Sequence, residues 1–186
     1  SDAREILGGD VLVDIVHRPA TEDERDAMAA AGTLAGSAEM RAMIRAGATS
    51  NTSSGTRSLI ELKTVEATYP LYGNLETNPA LPLTDMLGQQ NGLWGAAVAP
   101  ELIDKLGIVI GDSVRIGEAS FEVRATILHE PDRVGGSGIF SLGPRVLIAG
   151  GALAETELIQ PGSLIHYNYR VRLPDETAPA AFIAGI

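Results

Sequence analysis

The chain has 186 residues, no cysteine, and 14 Lys and Arg against 24 Asp and Glu, a formal charge of −10. Without cysteine there is no disulfide framework, no thiolate metal site and no cysteine nucleophile. An acidic surface, with Arg41, Arg45 and Arg57 scattered among small and apolar residues, argues against nucleic acid and against an anionic lipid surface as partners.

The length suits one ordinary domain or two small ones. No stretch reaches the ~20 apolar residues of a membrane span. The most apolar run, Val146 to Ala154 (VLIAGGALA), is short and carries two glycines. The start at Ser1 and the apolar-rich end AAFIAGI read as the cut ends of a fragment.

Asp10 to Val16 (DVLVDIV) is rich in β-branched residues and predicts a strand. Thr21 and Glu24 fit a capping box at the head of TEDERDAMAAAG, with acidic residues at the positive helix end and Gly32 as the stop. In SAEMRAMIRA, residues 37 to 46, Met40, Ala42 and Ile44 alternate with Glu39, Arg41, Met43 and Arg45, which favours a strand with one wet face over the helix that the composition of the run also allows. ATSNTSSGT, 48 to 56, is polar and low in complexity. RSLIELKTVEA, 57 to 67, alternates again, so the pair predicts a long hairpin with a flexible tip.

Next comes VEATYPLYGNLE, which holds two of the four tyrosines. Pro70 forces an extended approach at Tyr69, and Gly73 frees the backbone to turn. Tyr69, Pro70, Tyr72 and Gly73 therefore read as a conformational joint, a candidate hinge or partner contact. Trp94 stands as a further candidate contact, weighed against a place in the core.

Beyond it, a short helix is expected near Thr84 to Leu87, a strand at GLWGAAV, and a helix at APELIDKLG. DSVRIGEASFEVRATIL predicts a hairpin turning at Gly117-Glu118. Arg145 to Ile148 predicts a short buried strand, Ala152 to Leu158 a helical turn or two, Leu164 to Leu173 a strand, and Glu176 to Ile186 a helix. Strands in hairpins mixed with helices predict an α+β fold.

No catalytic, cofactor or metal set emerges. His17, His129 and His166 are far apart, with no partner at ligand spacing. The HEPD segment, with His129, Glu130 and Asp132, is explained by a polar loop ending a strand. Gly135-Gly136-Ser137-Gly138 lacks the lysine of a phosphate loop, and Ser137 lacks the second glycine of a nucleophile elbow. A hydrolase using Ser137, His129 and Asp132 ranks far below a non-enzymatic domain. Asn51 and Ser53 form a glycosylation sequon only formally.

The run VAPELIDKLGIVIGDSVRIGEASFEVRATILHEPD, with REILGGDV before it, resembles the extracytoplasmic domain of FtsX-like ABC-transporter permeases. This is the superfamily of the macrolide exporter MacB and the lipoprotein-release permeases. YPLYG, the EPD after the hairpin, LGPRVLI, QPGS and HYNYRVRL resemble the YbbP-type branch, encoded beside a small ATPase and an esterase.

The resemblance implies a MacB-like periplasmic core domain, with a porter-like α/β part and an inserted small α/β lobe of the Sabre type. Carried onto this chain, residues 1–68 plus 162–186 form the porter-like part, truncated at its C-terminus. Residues 69–161 form the inserted lobe. The resemblance also implies a periplasmic location within a membrane protein and a cytoplasmic ATPase subunit as partner. It implies no chemistry in the domain, but coupling of the ATPase cycle to an envelope, lipid-like or hydrophobic substrate. A soluble extracytoplasmic module that recruits a protein such as a secreted esterase is the alternative.

Overall fold

The computed structural model of the chain describes residues 3–7, 10–47, 55–71, 73–131 and 143–174. The expected flexible tip, the Ser137 loop, Tyr72, Asp132 and the expected C-terminal helix lie outside the described residues, wholly or in large part.

The chain opens with a hairpin of β1 (Ala3–Leu7) and β2 (Asp10–Val16), paired antiparallel. Helix α1 (Glu22–Ala31) follows. Its N-cap is the predicted capping box: the Thr21 hydroxyl accepts from the Glu24 amide, and the Glu24 carboxylate accepts from the Thr21 amide. Strand β3 (Thr33–Ala46) runs antiparallel to β4 (Arg57–Val65), the predicted long hairpin. Thirteen residues before Ala46, β3 has already begun at Thr33, so it is longer at its start than the alternation of residues 37 to 46 announced.

After the YPLYG segment come β5 (Glu76–Asn78), α2 (Leu83–Leu87), β6 (Gln89–Gln90) and β7 (Leu93–Val98). Helix α3 (Pro100–Leu106) has proline in its first turn, and Gly107 ends it in the left-handed conformation at φ 64°. Strands β8 (Ser113–Ile116) and β9 (Ala119–His129) form the second predicted hairpin. Strand β10 (Arg145–Ala149) leads into two 3-10 turns, Gly150–Ala152 and Ala154–Thr156, and β11 (His166–Arg172) closes the described chain.

All eleven described strands join one sheet, in the order β1-β2-β11-β3-β4-β10-β7-β9-β5, with β6 on β7 and β8 bridging β3 and β9. Most neighbours are antiparallel, but β10 runs parallel to β4 and β7 parallel to β9. Such a mixed sheet with helices on its faces is α+β. The β4–β10 pair carries the sheet from the strands of the two chain ends into those of the middle of the chain.

Register fixes two faces. One carries Val11, Val13, Ala38, Met40, Ile60, Leu62, Val146, Ile148, Val98, Phe121 and Val123, all buried, with Met28 of α1 and Leu102 and Leu106 of α3 packed over it. The other holds a smaller cluster of Val65, Tyr69, Met86, Leu87, Ala97, Ala125, Ile127 and Leu147, roofed by α2. Beside that cluster the same face turns ionic.

Candidate functional site

Strand β4 places Glu61, Lys63 and Val65 on the second face, opposite Ile60 and Leu62. Alternation alone puts a lysine there in water. Instead Lys63 is buried, at 3% exposure. Its ammonium donates to Glu130 Oε1 at 3.2 Å, and Glu130 Oε2 accepts from Arg145 Nε at 3.1 Å. Glu130 itself is 7% exposed and follows directly on β9. The expectation of a polar loop at HEPD is thus corrected at Glu130, which is the anionic centre of a buried network.

Glu39 and Glu61 complete the surroundings: Arg145 lies 3.5 Å from Glu39 and 4.0 Å from Glu61, and Lys63 lies 4.0 Å from Glu39. Register explains why they meet. Glu39 is the β3 partner of Lys63, and Glu61 is the β4 partner of Arg145. Burial alone would lower the Arg145 pKa, but the carboxylates of Glu130, Glu39 and Glu61 outweigh it and push it above its ordinary value.

Tyr69 belongs to this network. Its ring is buried, and the Lys63 ammonium sits 4.8 Å from the ring centroid. The segment around it is stitched down at several points. The Glu66 carboxylate accepts from Arg25 of α1 at 2.9 Å and from the Gly36 amide at 3.1 Å. The Thr68 hydroxyl donates to the Leu34 carbonyl at 2.8 Å, and Arg172 donates to the Leu71 carbonyl at 3.3 Å. The Tyr69–Pro70 peptide bond is cis. Gly73 has φ 66°, and a Cβ there would come within 2.8 Å of Pro131. Tyr69, Pro70 and Gly73 therefore lie in a crossing that is fastened to α1, β3, β4 and β11.

Trp94 lies elsewhere. It packs, half-buried, against the larger core, its ring against Gly151, and its indole nitrogen is buried without a partner among the described residues. Of the remaining residues considered from sequence, His17, His129 and His166 are exposed, and the first and last come near each other where the ends of β2 and β11 pair. No group of three or more His, Asp or Glu that could hold a metal ion is present among the described residues. Two of the three residues of the hydrolase arrangement, Asp132 and Ser137, lie outside them.

On the first face, α1 and the 3-10 turn at Gly150 border a cleft of about 450 Å³. Its lining includes Arg25, Gly36, Ala38, Thr64, Glu66 and Tyr167. Gly36 makes room: a Cβ there would stand 2.9 Å from Glu66 Oε1 and 3.2 Å from an Arg25 nitrogen. The Arg25 guanidinium also lies 5.6 Å from the Tyr169 ring centroid, and the Tyr169 hydroxyl accepts from the Ala20 amide at 2.9 Å. Burial, and Tyr169 next to it, push the Tyr167 phenol up, so that it is neutral at physiological pH.

No family model matches the chain. The chain is 30% identical over 115 residues to an uncharacterized ABC transporter permease, YbbP, of Escherichia coli K12; the match takes in 62% of this chain and 13% of that protein. The chain thus spans a small part of the length of this relative. Among solved structures, the extracellular domain of the noncanonic ABC-type transporter YknZ from Gram-positive bacteria superposes with a TM-score of 0.55 at 13% identity, covering 91% of this chain and 88% of that one. The periplasmic region of MacB from Actinobacillus actinomycetemcomitans gives 0.54 at 11% identity, covering 95% and 80%. No helix among the described residues is long and apolar enough to cross a membrane. The chain has the fold of the MacB-type extracytoplasmic domains of ABC transporters, and in sequence it is related to a stretch of a permease of the YbbP kind.

Proposed function

We propose that this chain is the extracytoplasmic domain of an ABC-transporter permease, and that it is a mechanical part with no catalytic role. It sits on the periplasmic side of the membrane as part of a membrane protein. A cytoplasmic ATPase subunit drives the parent permease, and the domain couples that cycle to the movement or extraction of a hydrophobic, lipid-like envelope substrate. The observation that carries this reading is the sequence kinship to the YbbP permease on a fold shared with MacB and YknZ.

The division into parts belongs to the same proposal. Residues to Thr68 and from Gly162 form the porter-like part, and Tyr69 to Pro161 form the inserted lobe. The joint is the pinned 66–71 crossing, where Glu66, Thr68 and Tyr69 hold on to α1, β3 and Lys63. The β4–β10 pair runs between the two parts and transmits force along the strands.

Two experiments test it. The parent gene must encode an apolar segment of ~20 residues ahead of this chain and others after it; a gene without them sinks the proposal. The reconstituted permease and ATPase then test coupling. The chain has no cysteine, so Arg25→Cys with Glu66→Cys, bridged by a short bismaleimide, welds α1 to the joint. Slowed ATP turnover in the bridged protein, against the unbridged double variant, supports coupling through the joint. Unchanged turnover removes it.

A further inference from the structure

Helix α2 roofs the second face of the sheet over the cluster around Tyr69. Where β3 and β4 meet β8, the same face is exposed. Arg41, Met43 and Arg45 stand there on β3, Arg57 and Leu59 on β4, and Arg115 on β8. These arginines are scattered in sequence, and register gathers them. Arg45 is the direct partner of Arg57 across β3–β4 and of Arg115 across β3–β8. Three cationic side chains therefore share one row on adjacent strands, which lie ~4.8 Å apart.

Like charges directly opposite one another destabilise a sheet. Little on the chain relieves this row. No hydrogen bond or ion pair among the described residues reaches Arg41, Arg45 or Arg57. Arg115 holds one carboxylate, Glu118 at 3.0 Å, in a pair whose side chains are both exposed and which is worth little. Arg41 faces Glu61, at the border with the buried network. Residues 47–56, which join β3 to β4, include no acid. In a chain of formal charge −10, such a row runs against the composition.

Next to the row, Met43 and Leu59 are cross-strand partners, 43% and 42% exposed. Arginine and methionine are residue types enriched at protein interfaces, and the guanidinium fork matches a carboxylate. The layout narrows the occupant. Along β3, Arg45, Met43 and Arg41 repeat at ~6.6 Å, the two-residue pitch of any extended chain. A duplex or a lipid surface would reach beyond this small face onto the acidic remainder of the chain. A short segment stays within it.

We infer that this face docks a short, extended, acidic segment of another protein. One apolar side chain of the segment rests on Met43 and Leu59. A carboxylate two residues to one side lies among Arg45, Arg57 and Arg115, and a carboxylate two residues to the other side meets Arg41. The surface goes beyond the permease reading and stands or falls without it.

The test is an amide NMR titration of the purified chain with the blocked peptide Glu-Glu-Ser-Leu-Ser-Glu-Glu. Saturable shifts are expected at residues 41–45, 57–60 and 113–116, and added salt weakens them. Arg57→Ala weakens binding about fivefold, and Arg45→Glu by more than about tenfold. Arg45→Glu also sets an acid between Arg57 and Arg115, so its melting temperature is expected to equal or exceed that of wild type. A melting temperature well below wild type would show that the row serves the sheet itself, and overturns the inference. So does wild type without saturable shifts at these residues, or the peptide with glutamine at every acidic position binding as tightly. Phosphatidylglycerol vesicles, or a second copy of the chain, engaging these arginines where the peptide does not would reassign the face and overturn it as well. Each outcome leaves the permease reading as it is.

Discussion

Lys63 and Glu130 are 67 residues apart in the chain and 3.2 Å apart in space, and both side chains are almost fully buried. Glu130 also holds Arg145, so removing it takes the nearest carboxylate from two buried cations, whereas removing Lys63 leaves Glu130 its bond from Arg145. Glu130→Gln is expected to cost about 3 kcal/mol of unfolding free energy. Lys63→Met is expected to cost less than Glu130→Gln, because Glu130 keeps its bond from Arg145. Lys63→Met paired with Glu130→Leu is expected to cost less than the sum of the two singles, because it strands one buried cation where Glu130→Gln alone strands two. Urea unfolding of the three variants checks this. A double variant as damaged as the sum of the singles would show that the network is worth more than the charges it buries.

The sequence displays the frame of the fold more openly than this network. The capping box of Thr21 and Glu24, the alternation of β3 and β4, and the Gly117-Glu118 hairpin are local signals, and each is present as read. Burial of Lys63 is not local. Alternation places Lys63 on the face opposite Leu62, but whether that face is wet depends on Glu130 and Tyr69 arriving over it. Arg145 lies in an apolar run, and its partners come from β3, β4 and the end of β9. YPLYG reads as a joint from its proline and glycine alone, and that reading says nothing of the buried charges beside it. Its fastening to Arg25 and Lys63 follows only from the register of the sheet. The cleft is equally silent in sequence, because Gly36, Thr64 and Tyr167 are brought together from three strands.

Tyr69 tests how much the crossing depends on its ring. The side chain is buried in the second cluster and carries the Lys63 ammonium on its face. Tyr69→Ala opens a cavity and strips the cation of that contact, for a loss of about 3–5 kcal/mol. Tyr69→Phe keeps ring and packing, and is expected to stay within about 1 kcal/mol of wild type. Thermal melts of the pair separate the two effects. A Phe variant as unstable as the Ala variant would place the weight on the hydroxyl.

Helix α1 predicts an acid limb. Arg18 donates to the Glu24 carboxylate at 2.9 and 3.1 Å, and the Thr21 amide adds a third bond. Together they hold the Glu24 pKa at about 2, against an ordinary 4.5. The folded state therefore binds this proton less readily than the unfolded chain does. Its stabilisation is complete above pH 4.5 and is lost as the pH falls towards 2. Glu24→Gln flattens that part of the stability–pH curve and leaves the neutral region lower. Thr21→Ala removes the cap and costs about 1 kcal/mol at every pH. Salt weakens the Arg18 share, because that ion pair is partly exposed.

Two glycines separate tight contacts that can give from those that cannot. A Cβ on Gly36 would meet the far ends of Glu66 and Arg25, which are flexible and about a third exposed. Gly36→Ala is expected to cost no more than about 1 kcal/mol and to loosen the Arg25–Glu66 clasp on the 66–71 crossing. A Cβ on Gly95 would run into the backbone carbonyl of Met86 in α2, with the buried Arg124 guanidinium on its other side. Arg124 is itself held by carbonyls of Asp85, Gly88 and Leu93. Neither neighbour can move without breaking that cap, so Gly95→Ala is expected to cost about 3 kcal/mol, at the upper end of overpacking. Amide exchange distinguishes the outcomes: faster exchange confined to 66–71 for Gly36→Ala, and spread over α2 and β7 for Gly95→Ala. Exchange unchanged at 66–71 would mean that the clasp does not hold the joint, which is what the coupling proposal requires it to do.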